Sequence, residues 1–259
     1  MSLEPEILFE DEDILAINKP AGLIVHPASQ QVGYGAGPDS ESVSEWFVEK
    51  YPESKNVGEK LGEIERHGIV HRIDRETSGA LLLAKTKKGY KVLKEQFQKR
   101  EIEKIYHAFV YGIVADDRGT INFPITRSKK DFRKKFALIQ SRQPITDIDE
   151  EGEGGAREAL TYFKVLKRFE EEKVTFIEAK PKTGRTHQIR VHLLAIHHPI
   201  ISDRLYAPRR PRVLGFKRLA LHARSLAFKD VSGQIHHITA EYPEDLREAL
   251  DKVGYSVLD

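Results

Sequence analysis

The run His67-Gly68-Ile69-Val70-His71-Arg72-Ile73-Asp74-Arg75-Glu76-Thr77-Ser78-Gly79, continued by Ala80-Leu81-Leu82-Leu83-Ala84-Lys85, sets a carboxylate between arginines and close to a histidine. Its polar residues and Gly79 mark a turn, and the apolar residues 81–84 that follow read as a buried strand. Positive charge on either side of Asp74 favours its ionised form, which makes it a candidate nucleophile or base at neutral pH. The same arrangement also describes a structural ion pair. Local chemistry leaves both readings open.

Working outward, residues 7–9 and 14–18 read as short strands around an acidic turn, and Lys19-Pro20-Ala21-Gly22 punctuates the chain before extended structure resumes at 23–26. Val43, Trp46, Phe47 and Tyr51 share one helical face that stops at Pro52. A helix over 87–99 is expected to turn Tyr90, Leu93 and Phe97 inward. Residues 105–111 form a strand, and 119–123 are expected to pair with it across a turn at 115–118. Residues 124–156 have little periodicity and read as a long excursion from the sheet. Further strands are expected at 160–166, 174–179, 219–228 and 234–240, with helices over 186–197 and after Pro243. Strands outnumber helices and come in adjacent pairs, so the fold class is α+β with a mainly antiparallel sheet, not a doubly wound one.

Composition narrows the function. The 259 residues are 39% hydrophobic and 32% charged. No apolar run approaches the roughly 18 residues that cross a bilayer, and the N-terminus lacks the pattern of a signal peptide, so no membrane association and a cytoplasmic location are expected. With no cysteine the chain has no disulfide, thiolate nucleophile or zinc–thiolate site. No glycine-rich phosphate loop occurs, so no nucleotide cofactor is expected. His187, His192, His197 and His198 are close in sequence but lack metal-ligand spacing, and no metal is expected. Net charge is only +2, yet it is segregated. Residues 1–65 hold fourteen acids against four lysines, residues 127–142 seven basic residues against Asp131 alone, and residues 204–218 six basic residues and no acid. Each basic run by itself describes a solvated face. Two of them in a near-neutral chain point to a polyanion, with Arg127, Lys129, Lys130, Arg133, Lys134, Arg209 and Arg210 as candidate phosphate contacts.

Residues 71–79 resemble the active-site signature of RluA-type pseudouridine synthases, His-Arg-Leu-Asp-x-x-Thr-Ser-Gly, with Ile73 in place of leucine. Residues 8–27 are similar to that family's opening segment, Glu103-Lys104-Ile105-Tyr106-His107-Ala108-Phe109-Val110 to its tyrosine segment, and residues 180–193 to a further one; 218–223 is a weaker match. The five occur in the family's order. Residues 32–37 and 147–155 depart from the pattern, and Lys229-Asp230 stands where His-Pro is common.

The resemblance implies the pseudouridine synthase catalytic domain over 1–259, a bisected, mainly antiparallel sheet with helices and loops around a central RNA-binding cleft and no separate N-terminal RNA-binding domain. It implies isomerisation of uridine to pseudouridine in structured RNA, ribosomal or transfer, without cofactor. Asp74 would be the essential carboxylate, Arg190 its ion-pair partner and Tyr106 the ring against the target base. Arg72 would fill the space left by an extruded uridine with His71 stacked beside it, and Lys19, Arg185 and His187 would contact RNA. A monomer is expected. Two other readings exist: an RNA-binding protein or folding chaperone that keeps the fold without catalysis, and a histidine-dependent metallohydrolase.

Overall fold

The computed structural model describes residues 4–26, 42–59, 66–128, 130–139 and 155–255. In chain order the elements are β1 (Glu6–Glu10), β2 (Ile14–Lys19), α1 (Val43–Lys50), a 3₁₀ turn (Pro52–Asn56), β3 (Ser78–Ala84), α2 (Lys87–Lys99), β4 (Glu103–Tyr111), β5 (Arg118–Ile121), β6 (Ile125–Arg127), β7 (Lys135–Ala137), β8 (Thr161–Phe169), β9 (Val174–Pro181), α3 (Gln188–Ala195), β10 (Leu221–Lys229), β11 (Ile235–Thr239) and α4 (Glu244–Lys252). They divide into two compact units, the first from 1–104 with 222–243 and the second from 105–221 with 244–259.

In the first unit β1 pairs antiparallel with β2, β2 antiparallel with β3, β3 parallel with β10, and β10 antiparallel with β11. Every residue of β3 is buried, as its apolar run requires. Leu82 and Ala84 join Ile14, Ala16, Leu226 and Phe228 in a core closed by Leu93 of α2. Helix α2 keeps the expected bounds because Thr86 caps its N-terminus, accepting from the Gly89 amide, and Arg100 ends it in the left-handed conformation. Helix α1 is capped by Ser42, whose hydroxyl accepts the Glu45 amide and donates to the Glu45 carboxylate. Residues 23–26 are not a strand: Ile24 makes only an isolated bridge to Ser42.

In the second unit β4 pairs with β9, β9 with β8, and β8 with β5, all antiparallel. The expected hairpin between β4 and β5 does not form. Within this unit β4 pairs instead with β9, whose Phe176 stacks on Phe109 at 4.6 Å, whereas of β5 only Ile121 is buried. Arg168 of β8 draws the connection outward, donating to the carbonyls of Val114 and Ala115 and pairing with Asp117 at 2.8 Å. The basic excursion is also more regular than its sequence suggests. Strands β6 and β7 form a hairpin whose Ile125 and Ala137 pack with Ala159, Val191 of α3 and Tyr206.

Candidate active site

In the first unit the turn bearing Asp74 is tied to the Lys19–Leu23 loop. The Gly22 amide donates to the Arg75 carbonyl at 2.8 Å, and the Arg75 guanidinium returns a bond to the Gly22 carbonyl at 2.9 Å. Gly22 has φ +97°, a conformation that favours glycine at this point of the loop. The ammonium of Lys19 lies beneath, donating to the carbonyls of Pro20, Leu23 and Arg75 at 2.8, 2.8 and 3.2 Å. Lys19 is fully buried, so it braces the turn from inside, and the expectation that it contacts RNA is corrected.

Just beyond the turn, Ser78 donates to Nδ1 of His222 at 2.9 Å, since Nε2 of that ring is committed to the Ala240 carbonyl. Gly79 lets β3 approach β10 closely: a Cβ there would run into the Ala223 carbonyl. Asp74 is thus half-buried at the head of a fully buried strand.

The two residues before it separate in role. His71 turns inward, its ring 4.5 Å from that of Phe97 and its Nε2 accepting the Leu82 amide at 2.9 Å. Burial pushes its imidazole down to about 3, with the Lys104 ammonium adding to the effect. It is a neutral structural group here, which corrects the expectation of a ring stacked in RNA. Arg72 is exposed, with Nη1 3.4 Å from the His26 ring.

The second unit carries Tyr106 and Arg190. Tyr106 is buried on β4 opposite Ala179 of β9. Arg190 is buried on α3, where it donates through Nε and Nη2 to the two carboxylate oxygens of Asp203 at 2.8 and 2.9 Å. Asp203 also accepts the amides of Leu205 and Tyr206, both at 3.0 Å. This places the Tyr206 ring 5.0 Å from the Arg190 guanidinium. The Tyr206 hydroxyl accepts the Lys135 amide and meets Nδ1 of His187 at 2.8 Å. Sequence reasoning missed Asp203 and Tyr206. The available signal was a lone acid directly before the acid-free basic run that begins at Arg204.

His187 and Arg185 are half-buried and brace the turn into α3, Arg185 through the Glu158 carbonyl at 3.0 Å. Of the clustered histidines, His192 is buried between Thr161 and the Phe123 carbonyl, and desolvation lowers its pKa.

The remaining cationic candidates belong to the second unit. Arg127 and Lys130 are exposed on the hairpin; Lys134 is half-buried, and Lys129 lies outside the described residues. Arg133 is exposed but chelated to Asp131 by two bonds of 2.9 Å. Register sets Arg127 opposite Lys135, a like-charge pair, and Phe132, Phe136 and Ile139 are exposed beside it. Arg209 and Arg210 border a cavity of about 420 Å³ that Tyr206 and His197 also line.

The RNA pseudouridylate synthase family model matches residues 13–195, a span that holds the Asp74 turn, Tyr106 and Arg190. The chain belongs to that family. It is accordingly an RNA pseudouridine synthase, an isomerase. An uncharacterized RNA pseudouridine synthase of Aquifex aeolicus is 40% identical over 200 residues, covering 77% of this chain and 55% of the relative. The chain thus spans little more than half of that relative's length. A protein named ribosomal large subunit pseudouridine synthase D, of Xylella fastidiosa, is 35% identical over 95% of this chain and 68% of its own. Among solved structures, human RNA pseudouridylate synthase domain containing 4 superposes with a TM-score of 0.70, covering 96% of this chain and 92% of its own at 23% identity, which shows the shared fold. The mixed, mainly antiparallel α+β class expected from sequence is the one found. No helix among the described residues is long and apolar enough to cross a membrane.

Proposed function

We propose that this pseudouridine synthase acts on ribosomal RNA in the cytoplasm, with Asp74 as its essential carboxylate. The observation that carries the proposal is the turn itself: a half-buried carboxylate on a loop held by buried Lys19, Gly22 and Arg75. A group that must meet one atom of an extruded nucleotide needs such fixed placement. The choice of ribosomal RNA rests on the name of the Xylella relative. Transfer RNA, which the family resemblance also allows, is the second reading.

The reaction breaks the bond between the sugar C1′ and uracil N1, turns the ring, joins C5 to C1′, and moves the C5 proton away while N1 gains one. Asp74 activates C1′, either by attack or by taking a proton from the sugar. Arg190, oriented by Asp203, supplies the counter-charge that keeps the Asp74 carboxylate ionised. Tyr106 presents its ring to the base and its hydroxyl to the moving proton. Arg72, exposed two residues before Asp74, takes the place of the uridine in its stack. The Arg127–Lys135 hairpin and Arg209–Arg210 hold the backbone.

Each turnover removes hydrogen from C5, so ribosomal RNA carrying tritium there must release it. Wild type is expected to release label, and Asp74→Asn to bind the same RNA and release none above background. Near-normal release by the variant would assign Asp74 to a structural ion pair.

A further inference from the structure

The sheet of the second unit has two faces. Tyr106, Ala179 and Phe163 lie across from one another on one of them. Side chains alternate along a strand, so Glu178 and Lys180 of β9, Tyr162 and Lys164 of β8, and Arg118 and Thr120 of β5 lie on the other. These six residues, with Gly119 and Phe163 at the strand edge, line a shallow trough of about 340 Å³ at the outer strand, β5.

The trough is cationic in a way the fold does not require. Register sets Arg118 directly opposite Lys164, and like charges so placed are destabilising. Glu178 is next in that row, but its carboxylate is engaged by His107 at 3.9 Å and Lys180 at 3.6 Å, which hold its pKa below the ordinary value. Neither Arg118 nor Lys164 has an ion-pair partner among the described residues. In the adjoining row Tyr162 lies between Thr120 and Lys180, and it is 40% exposed. Charge on an outer strand guards against edge-to-edge pairing. That role explains neither a cation set against a cation nor an exposed aromatic beside them. The Arg127–Lys135 pair of the hairpin repeats the first feature.

We infer that this trough is a second RNA contact, taking a single-stranded stretch with a base stacked on Tyr162 and phosphates at Arg118, Lys164 and Lys180. An aromatic platform flanked by cations is the physical requirement for holding a single strand without sequence preference, and phosphate supplies the charge that the Arg118–Lys164 pair lacks. The inference rests on RNA being the substrate. Because the trough lies on the face opposite Tyr106, it binds RNA that flanks the target without touching the target base.

The test uses the full chain and a fluorescent oligouridylate of roughly twelve nucleotides. Replacing both Arg118→Gln and Lys164→Gln is expected to weaken binding about fivefold at low salt and to lower the slope of log affinity against log salt by about 1.4, the single-strand value for two phosphates. Tyr162→Ala should weaken binding about tenfold and leave that slope unchanged. Tritium release from C5-labelled ribosomal RNA at saturation should stay at the wild-type rate in all of them, with the loss confined to KM.

Wild-type affinity in both variants, with release intact, would overturn the trough alone. A wild-type chain that neither bound RNA nor released label would remove the proposed function with it. Polyglutamate is the counter-probe: if it bound as tightly as RNA and lost as much with Tyr162→Ala, the face would be a site for acidic peptide and the RNA assignment would be wrong.

Discussion

Lys19 and Arg190 are both buried cations, one in each unit, and each supports a residue of the proposed chemistry by a different geometry. The Lys19 ammonium is compact, and it draws together carbonyls from Pro20, Leu23 and Arg75. The Arg190 guanidinium is a planar fork seated on both oxygens of Asp203. An ammonium can gather donors' partners from several directions and so fixes a loop; a fork engages in one plane and so fixes its own orientation. One buried charge thus holds the backbone of the carboxylate's turn, and the other fixes the orientation of its own side chain.

The sharpest break of that comparison is Asp203→Asn, which leaves Arg190 buried without this counter-charge. Stability is expected to fall by about 4 kcal/mol, read from the urea midpoint, with a parallel loss of tritium release. An unchanged midpoint would mean that Arg190 is neutralised elsewhere.

Lys19→Met removes the donor from three carbonyls and should cost about 3 kcal/mol, and Lys19→Arg should cost nearly as much because a fork does not fit an ammonium's cage. If arginine restored wild-type stability, the distinction between the two cations would collapse.

A smaller effect separates exposed charge from buried. Lys130→Ala with Lys134→Ala should weaken binding to structured RNA by about tenfold at low salt, whereas Arg133→Ala should cost less because Asp131 already chelates it. Equal losses would show that Arg133 leaves Asp131 when RNA arrives.

A pH dependence is the last expected effect. His71 is depressed to about 3 from an ordinary 6.5, so between those values the unfolded chain takes up a proton that the folded chain refuses. Stability should fall as pH drops through that window, at no more than about 1.4 kcal/mol per pH unit, and His71→Gln should flatten this part of the profile.

Periodicity and capping are local, so the strands around Asp74 and the bounds of α2 were legible in residues that touch one another along the chain. The same holds for the Asp74 motif, whose residue types are adjacent. Partner choice is not local. That β4 takes β9 instead of β5 depends on Phe109 meeting Phe176, and on Arg168 pulling the connection outward.

Lys19 and His71 depart from expectation for a related reason. A sequence displays a cation or an imidazole but not which way it faces, and both turned inward to backbone groups, Lys19 to the Leu23 carbonyl and His71 to the Leu82 amide. By itself the sequence determined the fold class and the family, because these depend on pattern and residue type. Only the tertiary structure decided that Asp203 aims Arg190, that Lys19 is a brace, and that Arg118 faces Lys164, because each of these is a pairing between distant residues whose energy exists only once the chain has folded.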